Sequence, residues 1–182
     1  MTVIIIIAIL AILVLWVISV QRKLVKQEEI CKNGLSQIGV QQSARWDALK
    51  ALAELTKGYS DHEYKTLNDV IAQRRPITAE SSSAEANAQE KLFNQALSSL
   101  NVVLERYPEL KANESFNKTM DSVNTYTNQV RMSQMVYNDS VTNYNRLIRQ
   151  FPDSIVASMF HFNQRDYLQV SEGKEEMPSM KF

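Results

Sequence analysis

The chain has 182 residues, with 20 basic and 20 acidic side chains and a formal net charge of zero. Nucleic-acid-binding surfaces need an excess of Lys and Arg, so this balance argues against a nucleic-acid partner. Only four glycines and four prolines are present, too few for the turns of a β-sheet protein, so we expect helices to dominate. The single cysteine, Cys31, excludes an internal disulfide.

The first predicted element is a membrane span. The first twenty residues carry no charged side chain, and residues 3–18 form an unbroken apolar run. A helix of about 20 such residues rises about 30 Å, which matches the hydrocarbon thickness of a bilayer. A cleaved signal peptide would need a basic stretch before this run and a small-residue cleavage site after it, and the sequence has neither. We therefore predict an uncleaved anchor over residues 1–21, in contact with membrane lipid.

The orientation of the span is predicted from the charges beside it. Arg22, Lys23 and Lys26 follow the span closely, whereas only two uncharged residues precede it. Because cytoplasmic flanks collect Lys and Arg, we expect a single-pass protein of the cell membrane with its N-terminus outside and its folded part in the cytoplasm. The same cations could form an anionic-lipid or nucleic-acid patch, although the neighbouring Glu28 and Glu29 favour plain topology signals.

Four helices are predicted after the anchor. Residues 24–57 lack proline and continue the anchor directly, with Gly58 as a C-terminal cap. Capping boxes at Ser60 and Ser82 begin the second and third helices, which end before Pro76 and Pro108. Asn113 caps the fourth, which ends at Phe151 because a residue before proline avoids helical geometry.

The fourth helix carries the clearest pattern. Apolar residues recur every seven positions, namely Phe116, Val123, Val130, Tyr137, Tyr144 and Phe151, as in a coiled-coil seam. At about 57 Å this helix is too long for a small globular core and needs long partners. We therefore predict an all-α fold: the anchor at 1–21 continues into an antiparallel four-helix bundle at 22–152, followed by a short extended, apolar-then-charged tail at 153–182.

Much of this sequence resembles the LemA family. The resemblance rests on these residues: Gly34, Ile38, Val40, Gln41, Arg45, Asp47, Leu52, Lys57-Gly58-Tyr59, His62-Glu63, Thr66-Leu67, residues 107–113, Phe116, Tyr137-Asn138-Asp139, Val141, Tyr144-Asn145 and Phe151-Pro152. It implies a bacterial single-span membrane protein with a helical bundle. It points to no established biochemical activity.

We find no catalytic or metal-binding pattern. The two histidines, His62 and His161, lie far apart in sequence, and His62-Glu63 lacks a second ligand at helical spacing. The sequence has no glycine-rich phosphate loop and no nucleophile elbow around a serine. We therefore expect no enzymatic activity, no cofactor and no metal.

The predicted interaction residues lie around the end of the fourth helix. Six large apolar residues fall within twelve positions: Phe151, Ile155, Val156, Met159, Phe160 and Phe162. This cluster could cap the bundle, bind a neighbouring subunit or lie on the membrane surface. The alternation at Tyr167, Leu168 and Val170 fits a strand or a docked extended segment. Gln134, a polar residue in the apolar stripe, either sits at the bundle edge or helps fix an oligomer.

Two functions follow from these patterns. The first is a self-assembling membrane protein that organises or shapes the membrane, with copies in contact through Gln134 and the apolar cluster. The alternative is an adaptor that recruits another, unknown protein to the membrane. A large particle in mild detergent would favour the first function and a monomer the second.

Overall fold

The computed structural model describes residues 1–170, and these residues are mostly helical, without a strand. The helices are α1 (Thr2–Thr56), α2 (Asp61–Ile71), α3 (Ser83–Arg106), α4 (Pro108–Lys111), α5 (Glu114–Arg149) and α6 (Asp153–Met159). The predicted all-helical class is confirmed. The charged end of the predicted tail, residues 171–182, lies outside the described residues.

Helix α1 joins the predicted anchor to the folded part. It is a single helix of 55 residues, with a length of about 82 Å at 1.5 Å per residue. Its N-terminal part is long and apolar enough to cross a membrane, and almost all of that window is exposed in the isolated chain. Burial by the rest of the chain begins at Trp16 and Val17, and the first fully covered residue is Val20. A candidate membrane span and a domain helix are therefore one element.

Side chains cap three of the helices as predicted. The Ser60 hydroxyl accepts a hydrogen bond from the Glu63 N–H at the start of α2. Ser82 and Glu85 form a complete capping box at the start of α3. The Asn113 side chain accepts hydrogen bonds from the first backbone N–H groups of α5. These caps satisfy N–H groups that have no partner within their own helix.

Other boundaries differ from the prediction. Helix α1 ends at Thr56 with Lys57 in a right-handed conformation, and no described glycine has a positive φ, so the predicted Gly58 cap is wrong. Helix α2 stops at Ile71, short of Pro76. The predicted tail begins with a helix, α6, because Val156 and Ala157 can be buried on one helical face.

Helices α1 and α5 lie antiparallel along most of their length. The Gln27 side chain donates to the Ser140 carbonyl oxygen at 3.4 Å, and Gly34 lies against Tyr137. A Cβ at Gly34 would be 3.3 Å from the Tyr137 ring, so glycine permits this close approach. Helix α5 therefore begins at the membrane-distal end of the domain and ends beside the anchor.

Helix α3 runs in the same direction as α1 and is held to it by a buried ion pair. The two terminal nitrogens of Arg45 donate to the two carboxylate oxygens of Glu90 at 3.0 and 2.6 Å. Arg45 also stacks over the Phe93 ring, 3.8 Å from its centroid. At the membrane-distal end, Arg106 of α3 pairs with Glu63 of α2.

The core has two parts along the length of the domain. The membrane-proximal cluster comprises Val20, Leu24, Cys31, Leu35, Ile38, Ile77, Ala86, Tyr137, Val141, Tyr144, Ile148, Val156, Ala157 and Leu168. The distal cluster comprises Trp46, Leu49, Leu52, Ala53, Leu67, Ile71, Phe93, Ala96, Leu100, Val103, Leu110, Phe116 and Val123. Residues of the seven-residue stripe contribute to both clusters. Phe151, the last member of that stripe, is 77% exposed.

Candidate membrane-facing site

The membrane-proximal end of the domain brings α6 beside the exit of the candidate span. The Lys23 ammonium group lies 3.1 Å from the Asp153 carboxylate at the start of α6. Val156 and Ala157 are buried in the cluster that also contains Val20. Since the apolar run of α1 ends near Val20, α6 lies at the level where the span would leave the hydrocarbon.

The structure separates the seven predicted interaction residues into two groups. Four side chains are exposed: Phe151, Ile155, Met159 and Phe160. Val156 is fully buried, Gln134 is only 3% exposed, and Phe162 is partly buried against the membrane-proximal cluster. Gln134 and Val156 lie inside the chain, so we remove them from the predicted contact surface.

We call the four exposed side chains at this end of the domain the apolar corner. Ile155 and Met159 lie four residues apart in α6 and share one face of that helix, and Phe151 lies two residues before α6 begins. Phe160 follows directly at the C-terminal cap of α6. Exposed large apolar side chains in a contiguous group mark a contact with a partner or a membrane.

Exposed basic side chains lie on the two helices beside α6. Arg22, Lys23 and Lys26 lie on α1 just beyond the span, and Arg146 and Arg149 lie on the last turn of α5; all are exposed. Near a membrane surface each such cation contributes about 1 kcal/mol of attraction to anionic lipids. An apolar surface beside a cluster of cations is the combination found in segments that lie in the membrane interface.

A second feature follows α6. Residues 163–170 form an extended segment that is hydrogen-bonded to α5. Of the two interpretations given for Tyr167, Leu168 and Val170, a strand or a docked extended segment, the structure has the second. The Asn145 side chain accepts a hydrogen bond from the Arg165 backbone N–H and donates one to the Arg165 carbonyl oxygen, each at 2.9 Å. The Asn138 side chain does the same with Leu168: it accepts from the backbone N–H at 2.8 Å and donates to the carbonyl oxygen at 2.9 Å. We call these two side chains the asparagine clamp.

An ion pair fixes the clamped segment to α1. Arg165 donates to the Glu28 carboxylate at 3.0 Å, and both side chains are partly buried. Burial alone would lower the pKa of Arg165, but its hydrogen bond to Glu28 outweighs this and the pKa is raised. Burial beside this pair raises the pKa of the Tyr144 hydroxyl. Because the pKa of Arg165 is raised, its guanidinium group stays charged at any pH near neutrality.

The sequence interpretation did not identify the clamp as a site. Its signal is a tyrosine-asparagine pair that occurs twice, at residues 137–138 and 144–145, seven positions apart. The tyrosines enter the core, and the asparagines that follow lie on the adjacent face and meet the extended segment. Nothing in the sequence marked which segment they would bind.

Acidic, histidine and cysteine side chains do not gather into a metal site anywhere in residues 1–170. His62 lies in α2 at the membrane-distal end, and His161 follows α6 at the opposite end.

Comparison with known proteins agrees with the resemblance found in the sequence. The sequence model of the LemA family matches residues 34–182, which is most of the chain. The chain therefore belongs to the LemA family. No curated protein matches it significantly.

Proposed function

We propose that this member of the LemA family is a non-enzymatic, single-pass membrane protein whose helical domain rests on the cytoplasmic face of the membrane. The span anchors the chain, and the apolar corner is a second contact with the same membrane. In this arrangement copies of the domain are held at a fixed height and associate side by side. Such an assembly would organise or shape the membrane.

The observation that carries this proposal is the position of the apolar corner. It lies beside the residues where α1 leaves its apolar run, so the bilayer surface is the nearest large apolar phase. The span is continuous with α1, and the second contact therefore requires no separate recruitment step. Burial of apolar area at about 25 cal/mol per Å² and attraction of the basic side chains to anionic lipid both favour it.

Depth-dependent fluorescence quenching tests the second membrane contact. The full chain carrying Met159→Cys is labelled with a fluorophore and reconstituted into vesicles that contain anionic phospholipid and lipids with shallow spin labels. We expect strong quenching, because Met159 would lie in the interface. Cys31 is buried and does not compete for the label.

A matched control is Val102→Cys, labelled in the same way. Val102 is also an exposed apolar residue, but it lies near the membrane-distal end of α3. We expect the label at residue 102 to be quenched by a water-soluble quencher and not by the lipid spin labels. If labels at residues 102 and 159 behave alike, the apolar corner does not contact the membrane.

The proposal also includes the arrangement of the helices as an antiparallel four-helix bundle. Three pairings support it: α1 with α5 in opposite directions, α1 with α3 in the same direction, and α2 returning between them, with Arg74 beyond its end paired to Asp47 of α1. In such a bundle the long helices keep one face in solvent. Copies would meet along that face.

Lateral association has a candidate surface on α5. Met132, Met135 and Val136 are exposed and lie on one face of the helix, at spacings of three and four residues. When an oxidant is added to isolated native membranes, Met135→Cys should give disulfide-linked dimers. Lys91→Cys, at an exposed polar position on α3, is the control and should not.

If Met135→Cys and Lys91→Cys gave equally few dimers and the chain were a monomer in mild detergent, copies would not meet on this surface. The exposed apolar face would then favour the second candidate function, in which the domain recruits a different protein to the membrane.

A further inference from the structure

A cleft separates α1 from the segment that joins α2 to α3. This segment, residues 72–82, crosses α1 at Gly39, where a Cβ atom would lie 1.9 Å from the Ile77 carbonyl oxygen. Glycine is therefore needed for the backbone to come this close. The cleft has a volume of about 220 Å³ and is lined by Gly39, Gln42, Ser43, Trp46, Arg74, Arg75, Pro76 and Ile77.

Two buried hydrogen-bond donors on the α1 wall have no partner. Gln42 is 3% exposed and Trp46 is 2% exposed. The Gln42 Nε2 and the Trp46 Nε1 are shielded from solvent, and neither has an acceptor among the described residues. Buried polar groups are nearly always hydrogen-bonded, and an unpaired one costs most of its lost hydration. This wall of the cleft therefore lacks an acceptor.

The opposite wall adds positive charge. Arg74 donates through one terminal nitrogen to Asp47 at 2.6 Å, which leaves most of its five N–H donors for another acceptor. The Arg75 backbone N–H donates to the Gln89 side-chain oxygen, which fixes the start of the loop. Arg74 and Arg75 are both among the described residues that line the cleft, and no Asp or Glu of the described part of the chain is.

We propose that this cleft binds the oxyanion group, a phosphate or a carboxylate, of a small soluble molecule. An oxyanion supplies several acceptors at once, and guanidinium groups bind it with paired hydrogen bonds. The Gln42 and Trp46 nitrogens are covered by neighbouring atoms, so a small shift of the side chains around them would let these unpaired donors meet an acceptor in the cleft. Trp46, Pro76 and Ile77 offer apolar surface for the remainder of the molecule.

The height of the cleft decides between a lipid headgroup and a soluble anion. Gly39 and Trp46 lie 19 and 26 residues beyond Val20 on a continuous helix. At 1.5 Å per residue the cleft is about 28–39 Å above the end of the apolar run. Headgroups of the membrane that holds the anchor lie too far away, so the ligand is taken from solution.

Indole NMR of the full chain in detergent micelles tests the proposal. The chain has two tryptophans, so Trp16→Phe leaves only the indole N–H of Trp46. Inorganic phosphate, phenyl phosphate or acetate is added at constant ionic strength, with chloride as the reference anion. We expect a saturable downfield shift of the Trp46 indole proton, because that proton acquires an acceptor.

Gln42→Leu is the decisive variant and Gln41→Leu is its matched control. Gln41 lies on a different surface of α1, beside α5. We expect Gln42→Leu to weaken the apparent affinity at least tenfold and Gln41→Leu to leave it unchanged. Thermal melting of both variants verifies that they fold.

Two results would overturn the proposal. One is a Trp46 indole signal that none of the three anions shifts in a saturable way. The other is an equal affinity in the Gln42→Leu and Gln41→Leu chains. Micelles that contain anionic phospholipid, used in place of the soluble anions, should give no shift, and a shift there would contradict the soluble source of the ligand.

Discussion

The buried ion pair between α1 and α3 allows a quantitative prediction. Arg45 is 1% exposed, and within residues 1–170 its only carboxylate partner is Glu90, which it meets through both terminal nitrogens. Glu90→Gln keeps the shape of the side chain but removes the negative charge. A buried guanidinium group would then remain without a counter-charge, and its Nε has no partner even in the native pair.

The magnitude follows from this burial. Removal of one partner of a buried ion pair costs about 3–5 kcal/mol, because the remaining charge keeps its desolvation penalty. For a domain of this size that corresponds to a fall in Tm of about 6–20 °C. Arg45→Met combined with Glu90→Leu removes both charges and should recover most of the loss.

Urea unfolding of the full chain in dodecyl maltoside, followed by far-UV circular dichroism, measures these differences. Glu80→Gln is the control, since Glu80 is exposed and lies 3.6 Å from Lys32, and it should change stability by less than about 0.5 kcal/mol. If Glu90→Gln cost no more than Glu80→Gln, or if the double variant were less stable than the single one, the pair would not be buried as described.

Three further predictions concern packing and ionisation. Gly39→Ala should lower Tm, because the added Cβ would overlap the Ile77 carbonyl oxygen. Gly58→Ala should raise the free energy of unfolding by about 0.4–1 kcal/mol, because the space around its Cβ is open and its φ is not positive. Thermal melting compares the two variants. Tyr137→Asp should cost several kcal/mol, because it places an unpaired charge in the core, and an unchanged melting temperature would contradict the seam assignment. Burial raises the pKa of the Cys31 thiol, so the folded state holds this proton more tightly. The resulting stability is complete below the unfolded pKa and is lost as pH rises through the folded value; mass spectrometry should show slow iodoacetamide labelling at pH 8, and rapid labelling of native protein would refute this burial.

The helices could be predicted because their signals are local. Caps at Ser60, Ser82 and Asn113 and the seven-residue stripe of α5 depend on residues within one or two turns, and the structure has them where the sequence indicated. Gly58 failed as a predicted cap because its backbone is not left-handed. The type of the elements was thus better predicted than their ends.

The sites were less predictable because they depend on distant partners. Glu90 occupies a stripe position between Ala86 and Phe93, and a charge there was a sign of burial with a partner, but nothing local identified Arg45, 45 residues away. The apolar cluster at 151–162 was visible in the sequence. The packing of α6 against α1 decides which members of this cluster face solvent. Val156 is buried because it lies on the side of α6 that faces α1.

Because α1 is one unbroken helix, the tilt of the domain is coupled to the tilt of the candidate membrane span. Helix α1 has no hinge between its candidate span and residue 56, so a tilt of the span turns the whole domain by the same angle. A hydrophobic stretch adapts to a thinner bilayer by tilting. If the apolar corner rests on the membrane surface as we propose, a tilt of about 20° about that point would move the far end of the domain sideways by about 18 Å, at 1.5 Å per residue over 36 residues. Local bilayer thickness would thereby set how far each domain leans, and copies of the chain in a bilayer of uniform thickness would lean by the same angle.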